Sequence, residues 1–442
     1  MAFAKLKAPI RKAAARSYDA LWQAVGAKFF CELFSDEECY NYFKAAGYEA
    51  NKMQQALVRA IPIAAGVIVA FSFAAPTSAQ SLRESWFMRE HKIFGRNRDE
   101  PYFYGQLSAG VMNYDDGQST EVVPFVDNDD SSSRVGFAYE GQWTDELAAF
   151  FNVEVEWQPG AVDLLDRDNG PSVDWDAFEL RKLEVRFELS GFGRLWIGQG
   201  SMASDGSSEA DLSGSTVIAT SDVGDSASQQ LFAFSGMPGL SGVSIDAAFG
   251  NLDGLGRRAR IRYDTPEWQG IRLQGSAGVN ALNGNDDLEW DVGARFTHDE
   301  DGADFSLKTA IAYSRPGGVD DRISASASVL HKPSALSLTL AGGYTGITGS
   351  PRDPHFFYGK IGYSPELTTI GRTSFALDVY LGSDFNTNGS ESLSVGFAAV
   401  QNIQIRHNTF DVFGAVRSYA YEDNTASYED ALSVLVGVRW RF

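Results

Sequence analysis

The sequence predicts an all-β chain whose body is a transmembrane, antiparallel, up-and-down β-barrel of 16–18 strands, 18 by direct count. Three observations predict it. From residue 101 to 442 apolar and polar residues alternate with period two, and no stretch sustains a helical period. The links between alternating segments differ in kind, long polar ones such as "DDGQSTEVVPFVDNDDSS" being set against tight ones such as "TDE", "SGFG", "EWQG" and "HKPSA". Aromatic residues recur near segment ends, at Tyr104, Trp143, Trp157, Tyr263, Trp268, Tyr344, Tyr363 and Tyr419, where the girdles of a membrane barrel belong. Soluble sandwiches alternate too, but they rarely run to so many strands without a domain break or a helix.

In chain order, residues 1–52 form an N-terminal extension and residues 53–79 an export leader. Arg59 precedes the uncharged run "AIPIAAGVIVAFSFAAPTSAQSL", whose apolar centre, residues 60–75, falls short of the ~20 residues a bilayer span requires. A basic lead, an apolar centre and small residues after Pro76 describe a secretory signal peptide cut between Ala79 and Gln80; the other reading is a retained anchor helix. Met53 opens a leader of ordinary form. Residues 1–52 are therefore either a misassigned start or part of an unusually long leader. Cys31 and Cys39 both precede the cut, so no disulfide framework is available beyond it. Residues 80–100 lead into the barrel domain, residues 101–442.

Composition excludes two classes. With 44% hydrophobic and 13% aromatic residues the chain is too apolar for disorder. A net charge of −21 and the lack of a basic stripe argue against a nucleic-acid partner.

The alternation assigns faces. In "LEWDVGARF", Leu288, Trp290, Val292, Ala294 and Phe296 oppose Glu289, Asp291 and Arg295. "RRARIRYD" puts Arg258, Arg260 and Arg262 on one face. An Arg facing lipid at mid-membrane costs roughly 2–4 kcal/mol, so these three face the lumen. "KLEVRFEL" likewise groups Lys182 and Arg186 with two Glu, and Arg134 holds a similar place on the second strand. At the other end of the chain "VLVGVRWRF" sets Val438, Trp440 and Phe442 on the lipid face of a closing strand that pairs with the first.

Several of these stretches resemble the general porins of Gram-negative outer membranes. "RIRYDTPEWQGIRLQGSAG" is similar to a porin hairpin, "FGRLWIGQG" to the strand that leads into the loop folded inside the barrel, and the terminal aromatic to the outer-membrane assembly signal. The Pro-Glu-Phe-Gly-Gly sequence of some constriction loops in that family is absent. The resemblance implies a homotrimer of sixteen-stranded diffusion channels, in the outer membrane among lipid and lipopolysaccharide, with Phe442 read by the barrel-assembly machinery.

A passive pore needs no catalytic group or cofactor, only a constriction whose charges select solutes. Residues 201–228, after the fifth strand, hold Asp205, Glu209, Asp211, Asp222 and Asp225 and no basic residue; they are the candidate inward loop, with a solvated surface loop as the other reading. By the resemblance, the opposing wall is basic and comes from early strands, which points to Arg134, Lys182 and Arg186; the alternative is that these residues only brace the wall through salt bridges. The expected function is passive diffusion of small hydrophilic solutes and ions. The second hypothesis is a barrel with an enzymatic, structural or adhesive role at its outer face. Against an enzyme, the five His are scattered and neither HExxH nor a Walker loop occurs; no metal site is assigned.

Overall fold

A membrane-spanning sheet has no water to satisfy a free edge, so its last strand must find its first. In the computed structural model, which describes residues 101–160, 176–318, 320–406 and 408–442, it does. The wall begins with β1 (Tyr102–Asp115), β2 (Thr120–Val126), β3 (Arg134–Gln142), β4 (Leu147–Trp157), β5 (Phe178–Leu189) and β6 (Gly193–Ser201). Residues 202–256 then leave the wall, carrying the short pieces β7 (Leu231–Ala233), β8 (Leu240–Ser244) and α1 (Ile245–Ala248). The wall resumes with β9 (Arg257–Asp264), β10 (Ile271–Val279), β11 (Glu289–His298), β12 (Phe305–Arg315), β13 (Asp321–His331) and β14 (Leu336–Gly346). It ends with β15 (His355–Tyr363), β16 (Thr373–Ser383), β17 (Glu391–Ile405), β18 (Asn408–Glu422) and β19 (Ala431–Arg441).

β2 and β3 both pair antiparallel with β1, from β3 onward each wall strand pairs antiparallel with the next, and β19 returns to β1 in a register running from Gln106 opposite Arg441 to Asp115 opposite Leu432. Phe442 extends the seam, exchanging two backbone hydrogen bonds of 3.0 Å with Gly105. The predicted pairing of the closing strand with the first is therefore present. Val438 and Trp440 point outward, and the Phe442 ring lies against Gly105, where a Cβ would come within 2.7 Å of it.

The sheet has seventeen strands but sixteen positions round the barrel, because β2 and β3 share one: β2 pairs with the upper half of β1 and β3 with its lower half. The direct count of eighteen is corrected accordingly. Local alternation cannot tell a broken strand from two strands, nor the β7–β8 hairpin of the inner loop from wall. The break has a local cause. Pro124 cannot donate to the ladder and Phe125 takes a φ of +63°, after which residues 127–133 leave the sheet and turn inward. The "DDGQSTEVVPFVDNDDSS" stretch, expected as one long loop, is thus a tight turn, a half-strand and an inward turn.

The two faces sort as predicted. Leu273, Val292, Ile311 and Ile323 are about half exposed on the outer surface, while Ser276, Asp291 and Ser324 from the same strands are buried inside. Trp143, Tyr263, Trp268, Tyr344 and Tyr363 stand exposed near strand ends as girdle residues should. Tyr104 and Tyr419 do not: both are buried inside, hydrogen-bonded to Asn152 and to the Val223 carbonyl respectively. The N-terminal extension, the signal peptide with Ala79 and Gln80, and the lead-in to residue 100 lie outside the described residues.

Candidate functional site

The long loop, residues 202–256, lies within the barrel, and its backbone is satisfied by the wall. Buried N–H groups need acceptors, and the inward face of β13 supplies them with little bulk. The amides of Ala210 and Leu212 donate to the hydroxyls of Ser326 (2.8 Å) and Ser328 (3.0 Å), while Ser207 Oγ meets Ser324 Oγ. Above this, the Ala203 amide donates to Ser276 Oγ and the Ser204 amide to Asp291 Oδ2, both at 2.8 Å. Below, the loop comes so close to β15 that a Cβ at Gly362 would lie 2.7 Å from Ser213 Cβ. The loop then turns back along β18 and β16, where Tyr419 and Tyr380 donate to the carbonyls of Val223 (2.8 Å) and Gly250 (2.7 Å). The β7–β8 hairpin reaches the rim, bridging Phe234 to Tyr428.

The five predicted carboxylates all lie on this inner loop, but they differ in surroundings. Asp211 is locked to the wall by Lys360 Nζ at 2.6 Å; burial would push its pKa up, and Lys360 and Ser213 outweigh that and hold it below the usual carboxylate range. Glu209 is exposed to the lumen and accepts from Asn251. Asp222 and Asp225 are partly exposed and face Asp130 of the inward turn. Burial, then the neighbouring charges of Asp130, Asp246 and Asp253, pushes Asp222 up to about 8. Asp205 contributes its carbonyl, which accepts from Arg295.

The six basic wall residues do face inward. Five are held in ion pairs: Arg260 with Glu184, Arg258 with Glu289, Arg262 with Asp264 (2.7 Å), Lys182 with Glu154 (3.6 Å) and Arg186 with Glu140 (2.6 Å). Arg134 opens β3 in register with Gln106 and Glu156. The bracing arrangement foreseen as the alternative is therefore present in these five. Arg134 and Lys182 share a neighbourhood with Arg181 around Glu154 and Glu156, whereas Arg186 lies further along β5, over the rings of Phe150 (4.9 Å) and Trp196 (5.2 Å).

Of the cations that touch the loop itself, sequence reasoning had Arg262, which donates to the Met202 carbonyl at 2.9 Å, and missed three others. Arg295 donates to the carbonyls of Asp205 and Gly206, Arg322 to that of Gly254 (2.7 Å), and Lys360 to that of Ala219 (2.6 Å). They sit on β11, β13 and β15, not on early strands. A lone inward Lys in "FFYGKIGY" and the Ser alternation of "ISASAS" were the available signals. Also missed was the inward turn 127–133, where Thr220 Oγ1 donates to Asp130 Oδ1 at 2.7 Å and Asn128 Nδ2 to the Val217 carbonyl.

A closed antiparallel barrel with a lipid-compatible exterior, a charged interior and a loop folded inward after its fifth position defines an outer-membrane channel protein. The family model for Gram-negative porins matches residues 64–441, and the chain belongs to that family. Among solved structures it is similar to the anion-selective porin from Comamonas acidovorans, with a TM-score of 0.51 and 16% identity over 78% of this chain and 100% of that one. It is also similar to OmpT, an outer membrane protein of Vibrio cholerae. The in-vitro folded form gives a TM-score of 0.50 and 10% identity over 80% of this chain and 100% of that one. Its loop L8 deletion mutant gives 0.50 and 11% over 78% and 100%. No curated relative matches the sequence.

Proposed function

We propose that this porin passes small hydrophilic solutes and ions by passive diffusion, through a lumen constricted by its acidic inner loop opposite a basic wall. The observation that carries the reading is an inner loop bearing Glu209, Asp222 and Asp225 inside a barrel whose wall turns Arg and Lys inward on β3, β5 and β9. Opposed charges across a narrow aqueous gap orient dipolar solutes and make passage of apolar ones costly, because the ordered water there must be displaced. The ion pairs of the wall keep those charges at fixed positions, which a selective field requires.

The same reading assigns residues 53–79 as a signal peptide cut between Ala79 and Gln80, Val438, Trp440 and Phe442 as the signal read by the barrel-assembly machinery, a homotrimer as the working assembly, and lipopolysaccharide as the neighbour of the outer loops. The ion-path assignment is tested by replacing Asp205, Glu209 and Asp211 with Asn or Gln and measuring reversal potential in a planar bilayer under a salt gradient. A shift toward anions is expected. An unchanged potential removes the loop from the ion path.

A further inference from the structure

The lumen is not lined uniformly. Apolar inward-facing side chains of β16–β19 are packed into one cluster with the returning half of the inner loop, Phe413, Tyr419 and Tyr380 being wholly buried and Tyr419 and Tyr380 packing against the ring of Phe249. On the opposite arc the wall is charged, with Glu154, Glu184 and Arg260 buried in ion pairs, and some inward side chains there stay open: Lys182 is 24% exposed, Glu188 37% and Glu140 51%.

Between these two regions the inner loop crosses the barrel. Lys360 on β15 donates to the Ala219 carbonyl at 2.6 Å, and the very next residue, Thr220, donates to Asp130 at 2.7 Å. Asp130 belongs to the inward turn of the broken β2/β3 position. That turn is itself fastened to the wall on both flanks, by Arg439 of β19 donating to Ser131 Oγ and Arg181 of β5 donating to Ser132 Oγ. Two consecutive loop residues thus join the twelfth barrel position to the second. Behind this chord, from β16 through β19 to β1, the inward side chains are packed shut: the apolar cluster encloses the buried Arg417–Asp378 ion pair (2.6 Å), and Asp411 is held by Arg439 and Arg441.

We infer that this crossing is the inner wall of the pore, built by two arms rather than one: the long loop and the inward turn 127–133. It seals the lumen along β16–β19 and β1 and confines permeating ions and solutes to the charged arc of β3–β6 and β9–β11. Asn128, Asp130, Thr220 and Lys360 are positioning residues that hold the wall in place. The inference rests on the diffusion-channel reading and adds where the path runs and what keeps it there.

The test uses single cysteines in full-length protein with Cys31 and Cys39, the chain's two cysteines, replaced by Ser. Channels carrying Glu140→Cys or Lys182→Cys should lose current when a charged, water-soluble methanethiosulfonate is added. Channels carrying Ala398→Cys or Ala415→Cys, small changes behind the crossing, should keep it. Current before the reagent checks the channel reading separately, so each can fail alone. Loss of current at Ala398→Cys or Ala415→Cys, or none at Glu140→Cys and Lys182→Cys, overturns the inference. In the Ala398→Cys background, Thr220→Val should admit the reagent and raise current noise while Thr220→Ser, which keeps the hydroxyl, should not. Equal behaviour of the two would remove the Thr220 to Asp130 bond as the fastening.

Discussion

Single residues in this lumen divide into those that hold and those that are available to a passing ion. Lys360 is 1% exposed and bridges Asp211 to the wall, so Lys360→Met leaves a buried carboxylate without its counter-charge. Breaking a buried pair from one side costs about 3–5 kcal/mol, and the variant barrel should lose its resistance to heat and detergent at a lower temperature in gel-mobility assays. Burial within the barrel and the carboxylates of Asp253 and Asp205 push Glu209 well above the usual carboxylate range, so Glu209→Gln, whose amide still has an oxygen to offer Asn251, should leave that temperature unchanged and move the reversal potential only at alkaline pH. Asp222 adds a pH dependence. Burial and nearby carboxylates push it up to about 8, so it is largely neutral below that value and gains negative charge as pH rises through it. Cation preference should therefore increase across that range, and Asp222→Asn should flatten the dependence; an unaltered slope in the variant would assign the titration elsewhere.

At the scale of elements, the inner loop depends on strands that give it room and acceptors. The three serines Ser324, Ser326 and Ser328 alternate along β13 and meet the loop at residues two or three apart. Replacing all three by Ala removes hydroxyl partners from buried loop groups, each such loss costing about 1–3 kcal/mol. The loop should then fluctuate, seen as open-channel current noise, while the barrel itself still resists detergent. Gly362→Val should act similarly from β15 by displacing the loop tip at Ser213. A quiet, wild-type-like current from either variant would show that the loop is not braced there. Much of this level was legible in advance: the faces of β5, β9, β11 and β19 follow from period-two alternation, because lipid on one side and water on the other leave no alternative. What escaped was the third dimension. Alternation says that Lys360 points inward but not that a loop residue more than a hundred positions away will meet it, and the Pro124–Phe125 break in β2 reads locally as an ordinary polar link.

For the whole molecule, closure and content are separate matters. Closure is carried by the β1–β19 register and the Phe442 bonds to Gly105, so removing Phe442 should reduce the yield of assembled barrel in the outer membrane more than the conductance of those that do assemble. Equal yields would confine Phe442 to a seam contact. Content decides function, and here the sequence identified the acidic loop but sought its basic partners on the early strands and on β9. The strands that actually grip the loop come late, because the loop lies along the far wall, and no local pattern reports which wall a loop will lie on. The central claim is that an aqueous passage survives beside this well-packed loop. It is tested most directly by adding purified, folded protein to a planar lipid bilayer and recording current. The account predicts stepwise conductance whose reversal potential, recorded at alkaline pH where these carboxyls are ionised, shifts toward anions when Glu209 and Asp222 are neutralised together. Correctly folded protein that inserts and passes no current would contradict it.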